Sequence, residues 1–380
     1  MNRNENEKKP LSLYLHIPFC VRKCNYCDFC SFTGVSDAVK ERYVARLCEE
    51  LIKMAERCAE YRITTVYFGG GTPTLLSTDA IASLLKTIGR CYDVSFDAEI
   101  TIECNPGTVD LAYLSALRKA GVNRLSVGLQ SANAEELRLL GRIHTREDFL
   151  RCARDARKAG FDNFSVDVMF GIPRQSPDSF RETLRVALSV DPSHISAYGL
   201  KLEVGTPFGQ NPERLPLPDE DAEDEMYRDA VQILSRAGLH RYEISNFSRA
   251  GYESRHNLAY WTKQEYLGFG VAAHSYFQGE RIGASRDFRA FLRGEDITES
   301  REKLSSEESM REFVMLRMRL ECGVSRTLFD KQYGDGAFER LYGEGLRRYI
   351  AGGFVRDTGD GYAFTTKGFR VSNYILSEIL

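Results

Sequence analysis

Up to about residue 200, short apolar runs alternate with longer amphipathic ones. The short runs are L-S-L-Y-L-H-I (11–17), I-T-T-V-Y-F (63–68), A-E-I-T-I-E-C (98–104), N-R-L-S-V-G-L (123–129), N-F-S-V-D-V-M-F (163–170) and H-I-S-A-Y-G-L (194–200). Their length and their Val, Ile, Tyr and Phe content predict parallel strands buried on both faces. The longer runs predict helices. S-D-A-V-K-E-R-Y-V-A-R-L-C-E-E-L-I-K-M opens on the capping residues Ser36 and Asp37 and repeats apolar residues at Val39, Tyr43, Leu47 and Leu51. V-D-L-A-Y-L-S-A-L-R-K-A-G closes at Gly121, a residue type that ends helices in the left-handed conformation. The acidic run P-D-E-D-A-E-D-E-M-Y-R-D-A-V-Q-I-L sets its carboxylates at the positive end of a helix dipole, so it reads as solvated capping and not as a metal site.

Six β/α units in series predict a parallel barrel or an open doubly wound sheet. Both gather ligands at the carboxyl ends of their strands. There the chain places a cysteine-rich stretch after the first strand and G-G-G-T-P-T after the second. Glu103 lies on the third, Gln130 after the fourth and Asp167 within the fifth, so one shared mouth is expected. Beyond about residue 245 the alternation stops. Y-L-G-F-G-V-A-A-H-S-Y-F leads to helical stretches from Ser305 to about Gly352, then to G-F-V-R-D-T-G-D-G-Y-A-F-T-T-K-G, a hairpin pattern around Asp360 and Gly361. The expected division is a polar tail over 1–10, a β/α domain over 11–245 and a smaller domain over 246–380, with a winged-helix-like module at about 305–375.

Composition narrows the setting. The 380 residues carry 51 Lys and Arg against 54 Asp and Glu, a formal charge of -3, which gives no general pull toward nucleic acid or an acidic membrane. No nucleic-acid partner is expected. The opening M-N-R-N-E-N-E-K-K-P lacks the apolar segment of a secretory signal, and no apolar run nears the ~18 residues that span a bilayer. A reducing, cytoplasmic setting is expected, in which clustered cysteines bind metal more often than they pair.

Four of the ten cysteines fall within C-V-R-K-C-N-Y-C-D-F-C, residues 20–30. Three readings fit that stretch. A structural zinc site takes four ligands, usually as two separated pairs, whereas here all four sit together. A ferredoxin-type site uses C-x2-C-x2-C-x3-C-P with partner cysteines elsewhere, and the spacing here runs in the opposite order. In the third reading Cys20, Cys24 and Cys27, spaced C-x3-C-x2-C, hold three irons of a [4Fe–4S] cluster. The fourth iron then stays open to the amino and carboxylate groups of a ligand. The scattered Cys48, Cys58, Cys91, Cys104, Cys152 and Cys322 read as small buried hydrophobes.

At these residues the sequence resembles the radical SAM enzymes, whose C-x3-C-x2-C follows a first barrel strand and carries an aromatic residue before its third cysteine, as Tyr26 does here. The resemblance implies a partial (β/α)6 barrel with a smaller C-terminal α+β domain, a [4Fe–4S] cluster and S-adenosylmethionine (SAM). It also implies that G-G-G-T-P lets the backbone approach the methionine end of SAM. The wider pattern, Y-L-H-I-P-F-C-x3-C-x-Y-C-D-F, is similar to the branch that holds oxygen-independent coproporphyrinogen dehydrogenases and HemW-type haem chaperones. By that likeness Tyr14, Gly70 and Glu103 hold the cluster-bound SAM. Gly71, Thr72, Gln130, Arg142 and Asp167 match positions that hold a second SAM in the dehydrogenases.

Two features separate the sub-branches. The dehydrogenases carry a further cysteine two residues after the third, where this chain has Phe29; Cys30 comes one place later and reads as a bystander. R-H-N-L-A-Y-W (255–261) matches the H-N-x-x-Y-W motif of the chaperone group, which implies His256 as a haem ligand and Trp261, the chain's one tryptophan, as part of haem handling. The other reading of that motif is that His256 and Asn257 cap a turn while Trp261 anchors the domain. The expected function is a haem chaperone that passes haem to an acceptor protein, for which a membrane-bound respiratory component is one candidate. An external electron donor would reduce the cluster, and the chain would act as a monomer or homodimer. The alternative is the dehydrogenase, in which reductive cleavage of SAM starts decarboxylation of propionate side chains. His16 reads as structural.

Overall fold

The structure, a computed structural model, describes residues 8–380. Of the expected polar tail, residues 1–7 lie outside the described residues, and Lys9 and Pro10 already belong to the first strand. The six anticipated strands are β1 (Lys9–Ile17), β2 (Tyr61–Gly70), β3 (Val94–Cys104), β4 (Arg124–Gln130), β5 (Asn163–Phe170) and β6 (His194–Gly199). They pair in that order and all in parallel. Helices α1 (Asp37–Ala55), α2 (Thr78–Cys91), α3 (Leu111–Ala120), α4 (Ala134–Leu140), α5 (Arg146–Lys158) and α6 (Pro177–Leu188) supply the crossovers. This is the partial (β/α)6 barrel.

Capping chemistry starts and stops these helices where the sequence places it. Ser77, Asp110, Asn133 and Thr145 each accept from a backbone N–H of the first turn, and Gly121 ends α3 at φ +111°. One face of each strand meets the helices and the other lines the interior. Leu11, Leu13, Leu15, Ile63, Phe68, Ile102, Leu125, Val127, Val166 and Ile195 are all buried in one continuous core. Each such side chain contributes about 1.5–3 kcal/mol on burial.

The barrel does not close on itself. After α7 (Pro207–Gln210) and α8 (Glu220–Arg236) come β7 (His240–Arg241) and β8 (Asn246–Ser248), and β8 runs antiparallel to β6. Beyond α9 (Arg255–Trp261), β9 (Tyr266–Phe269) pairs in parallel with the free edge of β1. Strands β10 (His274–Phe277), β11 (Glu280–Ala284) and β12 (Thr298–Lys303) extend that side as an antiparallel meander. Among the described residues, twelve strands thus form one sheet.

The packing does not change at residue 245. Phe247, Leu267, Phe269, Val271, Phe277 and Phe291 belong to the barrel's own core. A second cluster takes over with Phe313, Phe329, Phe338, Tyr362, Phe364 and Phe369, gathered from helices Ser306–Arg317 and Arg326–Tyr333 and from the small sheet β13 (Val324–Ser325), β15 (Gly361–Phe364) and β14 (Val355–Asp357). The alternation is lost after 245 because the added strands are short and, apart from the parallel pairing of β9 with β1, antiparallel, and a meander needs no helical crossover.

Candidate functional site

The carboxyl ends of β1 to β6 open into a cavity of about 980 Å³. That volume lies at the upper end of what single small-ligand sites use. Cys20, Cys24, Cys27, Tyr14, Gly70, Gly71, Thr72, Glu103, Gln130, Arg142 and Asp167 all line it, so residues spread over some 150 positions of chain meet as anticipated.

The cysteine loop is held at both ends and in the middle. A bridge between Phe19 and Phe32 closes its base, with Cys20 N–H on Phe32 O at 2.9 Å and Phe32 N–H on Pro18 O at 2.7 Å. Asn25 donates from its backbone to Leu140 O (2.9 Å) and from its side chain to Leu139 O (2.8 Å), using the last carbonyls of α4. His16 supports the far end: one ring nitrogen lies 2.8 Å from Cys30 O, and the other lies 3.1 Å from the Tyr14 hydroxyl. This agrees with its structural reading, and Cys30 is buried against the same support.

The triple glycine also packs tightly against the chain itself. A Cβ at Gly71 would lie 2.7 Å from Phe19 O, and one at Gly70 would lie 2.5 Å from the His16 ring. Gly71 N–H bonds Ile17 O (2.9 Å) and Thr72 N–H bonds Phe19 O (2.7 Å). These glycines bring the end of β2 against the end of β1 and the root of the cysteine loop. Gly71 is crowded by the Phe19 and Ile17 backbone, and Gly70 by the His16 ring.

The opposite wall is polar. Glu103 accepts from the Tyr67 hydroxyl at 3.0 Å and from Gly70 N–H at 3.1 Å. Burial, then the charge of Asp167, raises its pKa to about 7 against these two donors. Asp167 accepts from Ser126 Oγ at 3.0 Å and is likewise raised by burial. Gln130 ends β4 at φ +63°, a conformation that a residue with a Cβ adopts at a cost, and lines the cavity. Arg142, in the loop between α4 and α5, donates to Gly128 O (3.2 Å), to Asn105 Oδ1 and toward Cys24 Sγ (3.7 Å), while its Nε is buried without a partner.

This donor set fits the implied groups. Burial pushes the Cys20 thiol up and the Cys27 thiol to about 11, so thiolates there call for a cation to stabilise them. Among the described residues no three His, Cys, Asp or Glu side chains close on a single ion. Three thiols on one loop at the cavity suit a cubane that takes one sulfur per iron, whereas structural zinc takes four ligands. Two half-buried carboxylates that face the cavity without a cationic side chain bonded to them suit an ammonium and ribose hydroxyls.

One anticipated residue is placed elsewhere. His256 is buried behind the wall, with one ring nitrogen 2.7 Å from Thr65 Oγ1 and the other 2.9 Å from the Tyr260 hydroxyl. Its ring stacks on Tyr67 at 4.9 Å between centroids, and burial followed by the nearby Arg124 charge lowers its pKa to about 3. With both ring nitrogens engaged by hydroxyls, this arrangement holds no free lone pair toward a haem iron. The motif reaches the cavity through Tyr260 instead. Its backbone is pinned by Glu99, which accepts from the N–H groups of Arg255 (3.0 Å) and His256 (3.1 Å). Sequence reasoning passed over Tyr67, Asn105 and Ser126, because a lone Tyr, Asn or Ser carries no spacing signal.

The comparisons with known proteins agree with this geometry. Residues 14–187 match the radical SAM superfamily, and residues 304–371 match the HemN C-terminal domain. The chain is 35% identical to the heme chaperone HemW of Bacillus subtilis (strain 168), over 97% of this chain and 99% of that one. It is 36% identical to heme chaperone HemW of Escherichia coli (strain K12), over 98% of each. The solved structure of coproporphyrinogen III oxidase (HemN) from Escherichia coli superposes with a TM-score of 0.85, covering 98% of this chain and 90% of that one at 24% identity, a likeness of fold.

Proposed function

The chain belongs to the HemW family of radical SAM proteins, and on that premise we propose that it is a haem chaperone that binds haem and hands it to an acceptor protein. The near-full-length likeness to two heme chaperones carries this reading. Phe29 supports it, since the dehydrogenase pattern has a cysteine there. Among the described residues no helix is long and apolar enough to cross a membrane. We place the protein in the cytoplasm, as monomer or homodimer, with a membrane-bound respiratory protein as one candidate acceptor and an external electron donor for the cluster.

Cys20, Cys24 and Cys27 would hold the [4Fe–4S] cluster, and Tyr14, Gly70 and Glu103 the SAM on its open iron. Gly71, Thr72, Gln130, Arg142 and Asp167 face the space where a second SAM would lie. When bound, the cluster and SAM supply one-electron and sulfonium chemistry; the chain orients them and keeps water out. Glu103 accepts from Tyr67 and Gly70, so its carboxylate is aimed into the cavity before any ligand arrives. Tyr260, fixed by His256, gives the wall an aromatic face of the kind a porphyrin packs against.

Haem transfer is the direct test. Anaerobically reconstituted protein loaded with haem should pass it to an apo-haem protein, and should leave coproporphyrinogen III unchanged in the presence of SAM and a reductant. SAM-dependent formation of protoporphyrinogen would replace the chaperone reading by the dehydrogenase.

Two further outcomes are expected. Glu103 is neutral below about pH 7 and ionised above it, and a cationic ligand prefers the anion. SAM affinity should therefore fall by up to about tenfold per unit as pH drops below 7. Calorimetric titration from pH 6 to 8 should show this slope in wild type and lose it in Glu103→Gln. In the ligand-free protein the same raised pKa works the other way. The folded state binds the proton more tightly than the unfolded one, so this group's contribution to stability declines as pH rises from about 4.5 to 7.

His256→Ala should leave the absorption spectrum of bound haem unchanged while lowering unfolding free energy by about 1–3 kcal/mol, because Thr65 and Tyr260 lose a buried partner. A displaced haem spectrum at wild-type stability would restore His256 as a ligand.

A further inference from the structure

We propose that Asn105 is a positioning residue that aims hydrogen-bond donors at two of the three cluster cysteines and thereby raises the reduction potential of the group they hold. It stands directly after β3 at the cavity wall. Its backbone has little freedom: Pro106 follows it, and its carbonyl accepts from Thr108 N–H at 3.1 Å and Thr108 Oγ1 at 2.7 Å.

Arginine sets the polarity of the side-chain contacts. A guanidinium only donates, so Asn105 must turn Oδ1 toward Arg142, and its amide nitrogen then faces Thr72. That nitrogen donates to Thr72 Oγ1 at 2.7 Å. With the hydroxyl oxygen so engaged, the single proton of Thr72 is left for Cys20 Sγ, 3.7 Å away. On the other side the same Arg142 directs Nη1 at Cys24 Sγ, also at 3.7 Å. One amide thus orients a donor on each of two sulfurs.

Gly128 leaves room for this arrangement. A Cβ there would lie 2.7 Å from Gln130 Nε2, 3.2 Å from Arg142 Nη2 and 3.3 Å from Asn105 Oδ1. Donors on cysteine sulfurs stabilise negative charge, and the reduced cluster carries one electron more than the oxidised one, so it gains more from them. Removing the amide should make reduction harder.

The inference rests on the reading that Cys20, Cys24 and Cys27 hold a cluster, so iron and sulfide are measured first, on wild type. A wild type that assembles no cluster removes that reading and this one together. With the cluster present, its midpoint potential is followed by EPR in a dye-mediated titration without SAM, for Asn105→Ala, Thr72→Val and the double variant. The expected result is wild-type iron content with the one-electron reduction constant lowered on the order of tenfold in Asn105→Ala, about 59 mV. Thr72→Val should show a smaller shift in the same direction, and the double variant no more than Asn105→Ala alone. A wild-type potential in Asn105→Ala at full iron, or additive shifts in the double variant, overturns the relay. Should Asn105→Ala fail to assemble its cluster, Thr72→Val decides, and an unmoved potential there is the overturning result.

Discussion

Replacing Cys24 by alanine is expected to strip the protein of its iron. Cys24 is the middle ligand of the C-x3-C-x2-C set, and its loop is already anchored through Asn25 to the end of α4 and through the Phe19–Phe32 bridge at its base. The backbone is therefore fixed whether or not the thiol is there. The loss falls on ligation alone. With two thiolates left, two irons lack a protein donor, and reconstituted iron should fall from about four per chain to below about one. The EPR change that SAM produces in the wild type should go with it.

The fold should survive. Cys24 is not in the hydrophobic core, and its thiol makes one long contact with Arg142 Nη1, so losing it should cost about 1 kcal/mol or less. Circular dichroism should match wild type, and the denaturation midpoint should fall only slightly. A Cys24→Ala protein with a full complement of iron and sulfide, still answering to SAM, would mean that the three-cysteine assignment is wrong.

Gly70→Ala should damage the site by a different route. Gly70 has φ +112°, where a residue with a Cβ is strained by about 1–3 kcal/mol. The added methyl would sit 2.5 to 2.6 Å from atoms of the His16 ring. That ring cannot step aside freely, because its nitrogens hold Cys30 O and the Tyr14 hydroxyl. Either the end of β2 or the root of the cysteine loop must give way, and relieving such an overlap typically costs about 1–3 kcal/mol more. The variant should unfold at lower denaturant concentration than wild type. It should also take up less iron on reconstitution, although no cysteine has been touched. Wild-type stability and iron content together would show that the loop does not depend on this contact.

The contrast between these variants marks what could be read along the chain. The β/α alternation was legible because parallel strands buried on both faces leave unbroken apolar runs, and the crossovers must be amphipathic helices. The cysteine triplet was legible because its ligands are local: eight consecutive positions, Cys20 to Cys27 with their fixed gaps, state the chemistry without reference to the fold. Gln130 and Asp167 could be placed at strand ends, but their ligand and the whole of Arg142's role came only through a family pattern, since single polar residues have no periodicity of their own. The pairing of β9 with β1 joins residues some 250 positions apart, and no local signal announces it. That is why the stretch after residue 245 read as a separate domain although its first part, as far as Ile297, shares the barrel's core.

His256 makes the same point at the level of one side chain. Its motif marks it for attention, but whether an imidazole meets solvent, ligand or two buried hydroxyls depends on Thr65 and Tyr260, which lie on different elements. The sequence by itself determined the class of fold, the donor atoms for a cluster and the strand ends at which a ligand would be met, because each of these is written in local spacing. The tertiary structure alone decided which polar groups touch. Hydrogen bonds act over about 3 Å, and only the folded chain brings Asn105 between Thr72 and Arg142, or shuts His256 away behind Tyr67.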